Sequence, residues 1–243
     1  MPKVCGHRGA AGHAPENTLA SIKKAASLGV RWVEFDTKLT ADGVAVLFHD
    51  DDLGRTTDGA GLMAETSLAD VRCLDAGSWF GEEFQGEGVP TLEDAIRELS
   101  ALGLGANVEI KPSPGREEET ARTVAEILAD RWPDGVAPPM VSSFKEDVLA
   151  TVRDTAPGLE RALLAFEIPG DWRERLKRLG CVALHVQAKH LMETQVRAVR
   201  GEGFALRAFT VNDPTEAEKL LAWGVDGIVS DYPDRILAVA EST

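Results

Sequence analysis

Short apolar runs alternate with helical patterns along the whole chain, and this alternation restricts the possible folds more than any other feature. It is typical of βα units, in which strands form a parallel sheet that helices cover. Eight units close into a barrel, and 243 residues is close to the usual length of about 250 for that fold. We therefore predict an α/β protein with a (β/α)8 TIM barrel. The strands are expected at Lys3 to Gly6, Trp32 to Leu39, Ala106 to Ile110, Pro139 to Ser142, Arg161 to Ala165, Val182 to Val186, Leu206 to Thr210 and Gly227 to Ser230.

Start signals for helices lie between the predicted strands. Thr91-Leu92-Glu93-Asp94 has the form of a capping box, and Asp213-Pro214 places an N-cap residue before a proline. The alternation breaks once, at residues 51–88, which are rich in Gly, Asp and Thr and lie between the second strand region and the second barrel helix. We predict a single domain, residues 1–243, in which residues 51–88 are an insertion that covers the mouth of the barrel.

The charge of the chain excludes some classes of partner. There are 26 Lys and Arg against 40 Asp and Glu, and the net charge of −14 repels nucleic acid and anionic lipid surfaces. A phosphate-containing substrate must therefore meet positive charge that is arranged locally.

The three cysteines do not have the spacing of a disulfide framework or of a zinc site. A motif already begins at residue 7, and no apolar run approaches the roughly 18 residues needed to span a bilayer. We expect a cytoplasmic protein that neither binds nucleic acid nor inserts into a membrane.

Three carboxylates fall near the carboxyl ends of neighbouring predicted strands, where the catalytic groups of (β/α)8 barrels lie. Glu34 and Asp36 are two residues apart on one strand and therefore point to the same face, and Glu109 is close to the end of the next barrel strand. Carboxylates that converge inside a barrel need a compensating charge. Three oxygen ligands without a cysteine favour Mg²⁺ or Ca²⁺ over zinc. The alternative is an ordinary salt bridge from one of the glutamates to Lys38 or Lys111.

Two histidines also stand in strand-end motifs, His7 before Arg8 and His49 before Asp50. Imidazole exchanges protons near neutral pH, and displacement of an alkoxide needs both a proton donor and a proton acceptor. The two histidines are therefore a candidate acid and base, although either one alone would more often be an ordinary buried residue. A third histidine, His185, is placed at the end of the sixth strand, where it either lines the pocket or packs in the core.

Two fixed cations accompany these groups. Arg8 offers a planar fork of donors for two phosphate oxygens, whereas Lys111 is a point charge that reaches either a phosphate or a carboxylate. Lys38 shares the strand face of Asp36 and is a candidate for orienting a metal ligand. Histidines, carboxylates and cations together fit one chemistry, the metal-assisted cleavage of a phosphate ester.

These motifs are also similar to those of a known family over nearly the whole chain. The segments that carry the resemblance, beside the strand-end motifs, are Ala14-Pro15-Glu16-Asn17-Thr18-Leu19-Ala20-Ser21, Asp75-Ala76-Gly77-Ser78-Trp79-Phe80, Phe209-Thr210-Val211-Asn212 and Trp223-Gly224-Val225-Asp226. The chain resembles the glycerophosphodiester phosphodiesterases, and especially their small cytoplasmic bacterial members. The resemblance implies the same metal ligands, the same pair of catalytic histidines and a small insertion after the second strand region.

Two further residues acquire a role through the resemblance. Glu16 is expected to lie close to the site, although helix capping by Asn17, with Glu16 near the positive helix end, already explains this segment. Phe209 stands where the family often has an aromatic residue against the glycerol carbons, and core packing is the alternative.

The resemblance implies hydrolysis of a small glycerophosphodiester to an alcohol and sn-glycerol 3-phosphate, with Mg²⁺ or Ca²⁺ as cofactor and His7 and His49 as acid and base. It also implies that the adjacent glycerol hydroxyl attacks first and that water then opens a cyclic phosphate. The alternatives are a cyclising phospholipase-type lyase and a non-catalytic glycerophosphate-binding protein. The residues leave open the preferred alcohol, the choice of cation, which histidine is the acid, and whether the protein is a monomer or a small homo-oligomer.

Overall fold

The computed structural model describes residues 1–240. The strands of this part of the chain are β1 (Val4–Gly6), β2 (Trp32–Leu39), β3 (Ala45–Leu47), β4 (Gly105–Ile110), β5 (Met140–Ser143), β6 (Glu160–Ala165), β7 (Ala183–Gln187), β8 (Ala205–Phe209) and β9 (Gly227–Ser230). The α-helices are α1 (Leu19–Ser27), α2 (Leu68–Val71), α3 (Leu92–Leu102), α4 (Glu117–Arg131), α5 (Glu146–Thr155), α6 (Trp172–Leu179), α7 (Glu193–Gly201), α8 (Pro214–Trp223) and α9 (Pro233–Ala240). Within residues 1–240, no helix is both long enough and apolar enough to cross a membrane.

Eight of the strands form a closed parallel barrel, and the predicted (β/α)8 fold is confirmed. The order around the barrel is β1, β2, β4, β5, β6, β7, β8 and β9, and β9 pairs with β1. One helix follows each barrel strand along the chain, and α2 is an additional short helix between β3 and α3. All eight strands lie where the apolar runs predict them, with ends that differ by at most one residue.

The short strand β3 was not predicted. It pairs antiparallel with the end of β2, with Leu47 opposite Thr37, after a tight turn in which Gly43 has a φ of +81°. Its run of three apolar residues is too short to be distinguished by pattern from the second strand region. Because β3 is fixed to β2, the residues that follow it begin beside the mouth of the barrel.

The alternation of side chains along β2 decides what points into the barrel. The whole strand is buried, as expected when one face meets helices and the other lines the barrel interior. Val33 and Phe35 belong to the apolar layer under the helices. Glu34 and Asp36 alternate with them and therefore point inward.

Two predicted helix starts are present. Thr91 Oγ1 accepts a hydrogen bond from Asp94 N, and Asp94 Oδ2 accepts one from Thr91 N, both at 3.1 Å, which forms the capping box of α3. Asp213 caps α8 and Pro214 is its first residue. The first helix differs from the expectation, because Thr18 and not Asn17 is its N-cap residue, with Thr18 Oγ1 accepting from Ser21 N at 3.2 Å.

The residues between β3 and α3 form an apolar cluster together with Val46 of β3. Its buried members are Val46, Phe48, Leu53, Met63, Val71, Ala76 and Val89. This segment contacts the start of α1, where Glu87 Oε1 accepts a hydrogen bond from Ala20 N at 2.9 Å. The description of residues 51–88 as an insertion within a single domain stays a prediction.

Candidate active site

The candidate site lies at the carboxyl ends of the barrel strands. Parallel register places Gly6, the last residue of β1, opposite Val33, and it places Asp36 opposite Glu109. The loops after β1, β3 and β4 then add the remaining groups. The fold thus brings together the residues that the sequence singled out: His7, Arg8, Glu16, Glu34, Asp36, His49, Glu109 and Lys111.

Three buried carboxylates form the centre of the site. One oxygen of each of Glu34, Asp36 and Glu109 lies within 4.8 Å of the other two. Burial and the neighbouring charge of Asp36 raise the pKa of Glu34 well above its ordinary value and that of Glu109 to about 7. The Oε1 atom of Glu34 is buried without a hydrogen-bond partner among residues 1–240. Converging oxygen donors, one of them unsatisfied, fit a hard divalent cation, whose charge would stabilise all three in the ionised form.

Asp36 differs from its two neighbours in its hydrogen bonds. Asn17, which was predicted to cap α1, adopts a φ of +57° and donates from Nδ2 to Asp36 Oδ2 at 2.9 Å. Asn17 Oδ1 also accepts from Asp36 N at 3.1 Å. Burial opposes ionisation of Asp36, but the charges of Arg8, His49 and Lys111 outweigh it and lower its pKa. Asp36 is therefore the carboxylate that stays ionised most readily.

His7 is held by a carboxylate from the loop after the last strand. Its Nδ1 lies 2.6 Å from Asp231 Oδ1, and Asp231 Oδ2 accepts from Asn212 Nδ2 at 2.7 Å. Burial opposes ionisation of Asp231, but the hydrogen bonds from His7 and Asn212 lower its pKa. An ionised Asp231 requires the proton of the neutral imidazole to be on Nδ1. The other ring nitrogen, Nε2, lies 3.8 Å from Glu34 Oε2 and faces the carboxylates.

His49 has the same kind of arrangement. Its Nδ1 is hydrogen-bonded to Asp50 Oδ1, and Asp50 Oδ2 accepts from Arg55 Nε. Burial opposes ionisation of Asp50, but the hydrogen bonds from Arg55 and His49 lower its pKa to about 2. Burial also lowers the pKa of His49, against the effect of the negative charge of Asp36. The lowered pKa favours the neutral imidazole, and the carboxylate of Asp50 places the proton of that form on Nδ1, which leaves Nε2 for proton transfer.

Arg8 lies in a strained loop. Its φ is +48°, which few residues other than glycine adopt, and Gly9 follows at +90° in a position where a side chain would collide with α1. In this conformation Arg8 N donates to Glu34 Oε2 at 3.1 Å. The guanidinium donates from Nη1 to Glu16 Oε1 at 2.6 Å, and its Nε lies 3.1 Å from Asp36 Oδ2. Strain of this kind is typical of functional sites, and here it holds the arginine against the carboxylate centre.

Lys111 and Lys38 have different partners. Lys111 Nζ lies 3.3 Å from Glu109 Oε1 and 5.8 Å from the centre of the Phe144 ring, so the salt bridge considered for Lys111 is present. The ammonium group remains partly exposed at the edge of the carboxylate centre. Lys38 Nζ donates to Asp51 Oδ1 at 2.6 Å. The contact expected between Lys38 and a metal ligand is thus replaced by one with Asp51.

The structure places His185 inside the barrel. It is the third residue of β7 and is buried, and burial with the positive charge of Arg207 lowers its pKa well below the ordinary value. His185 lines an internal cavity of about 30 Å³ that also borders Glu34. Phe209, the last residue of β8, lines the same cavity and packs edge-on against Phe144. Both residues adjoin the carboxylate centre, and a role for them in the substrate pocket stays a prediction.

An open groove lies beside His49 and Lys111. Its volume is about 580 Å³, and its wall includes Asp51, Glu117 and Lys145. Positively and negatively charged side chains thus line this groove. The groove has room for a small polar molecule in contact with one histidine and one cation of the site.

Four functional contacts were missed in the sequence: those of Asn17, Arg55, Asn212 and Asp231. Asp231 directly follows β9, and the strand-end rule would have found it if applied to the last strand. Asn212 stands in a motif that carries the family resemblance, but no spacing relates it to Asp231. Arg55 offers only its charge as a signal.

The fold and these side chains define the class of protein. It is a (β/α)8-barrel enzyme whose acidic centre is flanked by two carboxylate-bound histidines and by fixed cations, an arrangement suited to phosphate esters.

Comparison with known proteins narrows this class. The model of the glycerophosphoryl diester phosphodiesterase family matches residues 7–235. A glycerophosphodiester phosphodiesterase of Caldanaerobacter subterraneus subsp. tengcongensis is 33% identical over 239 residues, 96% of either chain. One of Bacillus subtilis is 32% identical over 247 residues, which are 94% of this chain and 83% of that one. The structure is similar to that of an Oleispira antarctica phosphodiesterase in complex with its product sn-glycerol-3-phosphate, with a TM-score of 0.97, 44% identity, and coverage of 100% of this chain and 98% of the other. The chain belongs to the glycerophosphoryl diester phosphodiesterase family, which confirms the enzyme class predicted from the sequence.

Proposed function

We propose that this phosphodiesterase hydrolyses glycerophosphodiesters to an alcohol and sn-glycerol 3-phosphate in a reaction that depends on Mg²⁺ or Ca²⁺. The observation that carries the proposal is the buried centre of Glu34, Asp36 and Glu109, whose oxygens converge within 4.8 Å between two histidines and two cations. The product bound to the Oleispira antarctica relative supports the same product here.

Glu34, Asp36 and Glu109 are the residues that would hold the cation. When bound, a divalent cation supplies positive charge to phosphate and hydroxyl oxygens of the substrate. Arg8 and Lys111 bind the remaining phosphate oxygens. The side chains of Arg8 and Lys111 are already oriented by carboxylates of the site, so little reorganisation of these two residues is needed when the substrate binds.

His7 and His49 transfer the protons. Asp231 and Asp50 hold their Nδ1 atoms, and each imidazole therefore presents Nε2 as the nitrogen that gains or gives a proton. One histidine accepts the proton of the attacking glycerol hydroxyl, and the other protonates the departing alkoxide. Water then opens the cyclic phosphate with the two roles reversed, which yields sn-glycerol 3-phosphate.

Chelation tests the cation dependence. Exhaustive chelation should abolish release of glycerol 3-phosphate from glycerophosphocholine and glycerophosphoethanolamine, and added Mg²⁺ or Ca²⁺ should restore it. Glu34→Gln should need more cation for half-maximal rate, because a neutral amide replaces a charged ligand. Glu126→Gln, on the exposed side of α4, is the matched control and should behave as the wild type. Full activity after exhaustive chelation would contradict the proposal.

Product analysis by ³¹P NMR distinguishes the other candidate functions. Glycerol 3-phosphate supports the proposal, a persistent cyclic phosphate indicates a lyase, and an unchanged diester indicates a binding protein. The expected cytoplasmic location and the expected monomer or small homo-oligomer stay predictions, which cell fractionation and sedimentation would test.

A further inference from the structure

We propose that Arg55 is a positioning residue that holds His49 and Arg8 in their working orientations from the insertion, residues 51–88. The proposal rests on the function proposed above. It is carried by one network of side-chain hydrogen bonds in which Arg55 connects two carboxylates, and each carboxylate in turn holds one residue of the site.

The first branch of the network ends at His49. Arg55 Nε donates to Asp50 Oδ2, and the other oxygen of Asp50 accepts from His49 Nδ1. Both oxygens of the carboxylate are thus engaged, which fixes its plane and with it the direction of the imidazole ring. Without Arg55, Asp50 could rotate, and the ring of His49 would lose its fixed orientation.

The second branch ends at Arg8. Arg55 Nη1 and Nη2 donate to the two oxygens of Glu16 at 2.9 and 2.7 Å, and Glu16 Oε1 also accepts from Arg8 Nη1 at 2.6 Å. Burial opposes ionisation of Glu16, but the hydrogen bonds and charges of the two arginines lower its pKa. Glu16 is therefore an ionised group between two guanidinium groups. It holds Arg8 where a phosphate oxygen can be bound.

A guanidinium is the side chain that can connect both branches. Its Nε and its two Nη atoms donate in one plane toward different carboxylates, whereas a lysine at this position would offer a single point of charge. The backbone under Arg55 is also fixed, because Leu53 and Thr57 are buried and Thr57 Oγ1 donates to Leu53 O at 2.7 Å. The guanidinium of Arg55 is thus carried by a backbone segment with a fixed conformation.

The exposure of the Arg55 side chain favours a positioning role over a structural one. Its side chain is 45% exposed, and ion pairs at such positions contribute little to the stability of a fold. Loss of the guanidinium should therefore leave the fold intact and act on the two side chains that it holds indirectly.

Steady-state kinetics with glycerophosphocholine test this role. Arg55→Ala should lower kcat roughly 10- to 100-fold, the effect expected when a catalytic group is misplaced by about 1 Å. Arg55→Lys should recover only part of this loss because it restores one contact and not the fork. Arg72→Ala is the matched control, since Arg72 belongs to the same insertion but lines a separate cavity beside Thr91 and Asp94. It should keep the wild-type kcat and KM.

A double-mutant cycle identifies the route of the effect. When His49 is already alanine, Arg55→Ala should lower kcat much less than it does in the wild type, because the first branch no longer ends at a catalytic group. The remaining change should appear in KM through Glu16 and Arg8. If Arg55→Ala lowers kcat by the same factor in both backgrounds, the proposal is overturned. A wild-type kcat in Arg55→Ala would also overturn it.

A spectroscopic measurement tests the orientation of His49 without turnover. In the wild type, the Nδ1 proton of His49 should give a downfield NMR signal, assigned by its absence in His49→Ala. The signal should be lost in Arg55→Ala and retained in Arg72→Ala. An unchanged signal in Arg55→Ala would refute the positioning role even if the enzyme acts on a different diester, whereas failure of the proposed function would appear as a wild type inactive on every glycerophosphodiester.

Discussion

Replacement of Glu109 by glutamine should stabilise the cation-free protein and weaken its binding of cations. Burial and the charge of Asp36 raise the pKa of Glu109 from 4.5 to about 7, against the opposing charge of Lys111. The folded protein therefore holds this carboxylate in its ionised form only at a cost. A rise of this size corresponds to about 3 kcal/mol, since one pKa unit is about 1.4 kcal/mol.

This cost appears in a defined range of pH. The carboxyl group loses its proton near pH 4.5 in the unfolded chain but only near pH 7 in the folded, cation-free protein. Between these values the folded protein binds more protons, so its stability falls as the pH rises. The amide of Glu109→Gln does not titrate, and this part of the pH dependence should disappear. At pH 8 the variant should be more stable than the wild type by up to about 3 kcal/mol, and at pH 4 the two should be nearly equal.

Urea unfolding measures both effects. In EDTA at pH 8, Glu109→Gln should have the higher free energy of unfolding. After addition of excess Mg²⁺ or Ca²⁺, the wild type should gain stability and the variant should gain less, because binding to the folded state alone stabilises it. Glu126→Gln, on the exposed side of α4, should match the wild type in both conditions. A Glu109→Gln protein that is less stable than the wild type in EDTA, or that gains as much from the cation, would refute the reasoning.

Two further predictions concern the reaction. His7→Ala and His49→Ala should each lower kcat about 10²-fold or more without unfolding the protein, because each removes one proton-transfer group; a variant with near wild-type kcat in steady-state assays would show that its histidine is structural. A diester that lacks the hydroxyl next to the phosphate-bearing carbon should lose most of its kcat, since intramolecular attack can lower a barrier by about 7 kcal/mol or more. Equal kcat values for the glycerol and deoxyglycerol diesters would exclude the cyclic route.

The barrel could be predicted closely because its strands are buried on both faces. Such strands are nearly continuous apolar runs in the sequence, and their ends follow from the polar residues that interrupt the runs. The carboxylate centre could be predicted equally well, since Glu34 and Asp36 are two residues apart on one strand and strand register then brings Glu109 opposite Asp36. These relations depend on regular backbone geometry, which sequence spacing specifies.

The partners of the site residues could not be predicted because irregular loops determine them. Asn17 binds Asp36 only because its backbone adopts a positive φ, and the usual preference of asparagine for helix caps suggested a different role. Lys38 donates to Asp51, which lies in the irregular segment after β3. Neither the conformational propensity of a residue nor the periodicity of apolar residues predicts these long-range contacts.

The charge balance at the centre explains why the fold tolerates three buried carboxylates. Three carboxylates, those of Glu34, Asp36 and Glu109, face two fixed cations, Arg8 and Lys111, so that full ionisation leaves an excess of negative charge among these five groups. The raised pKa of Glu34 and that of Glu109 show that this state is costly without a further positive charge. A divalent cation would reverse the sign of the charge among the three carboxylates and the two fixed cations. A protein that repels anions over most of its surface would then present local positive charge to a phosphodiester here.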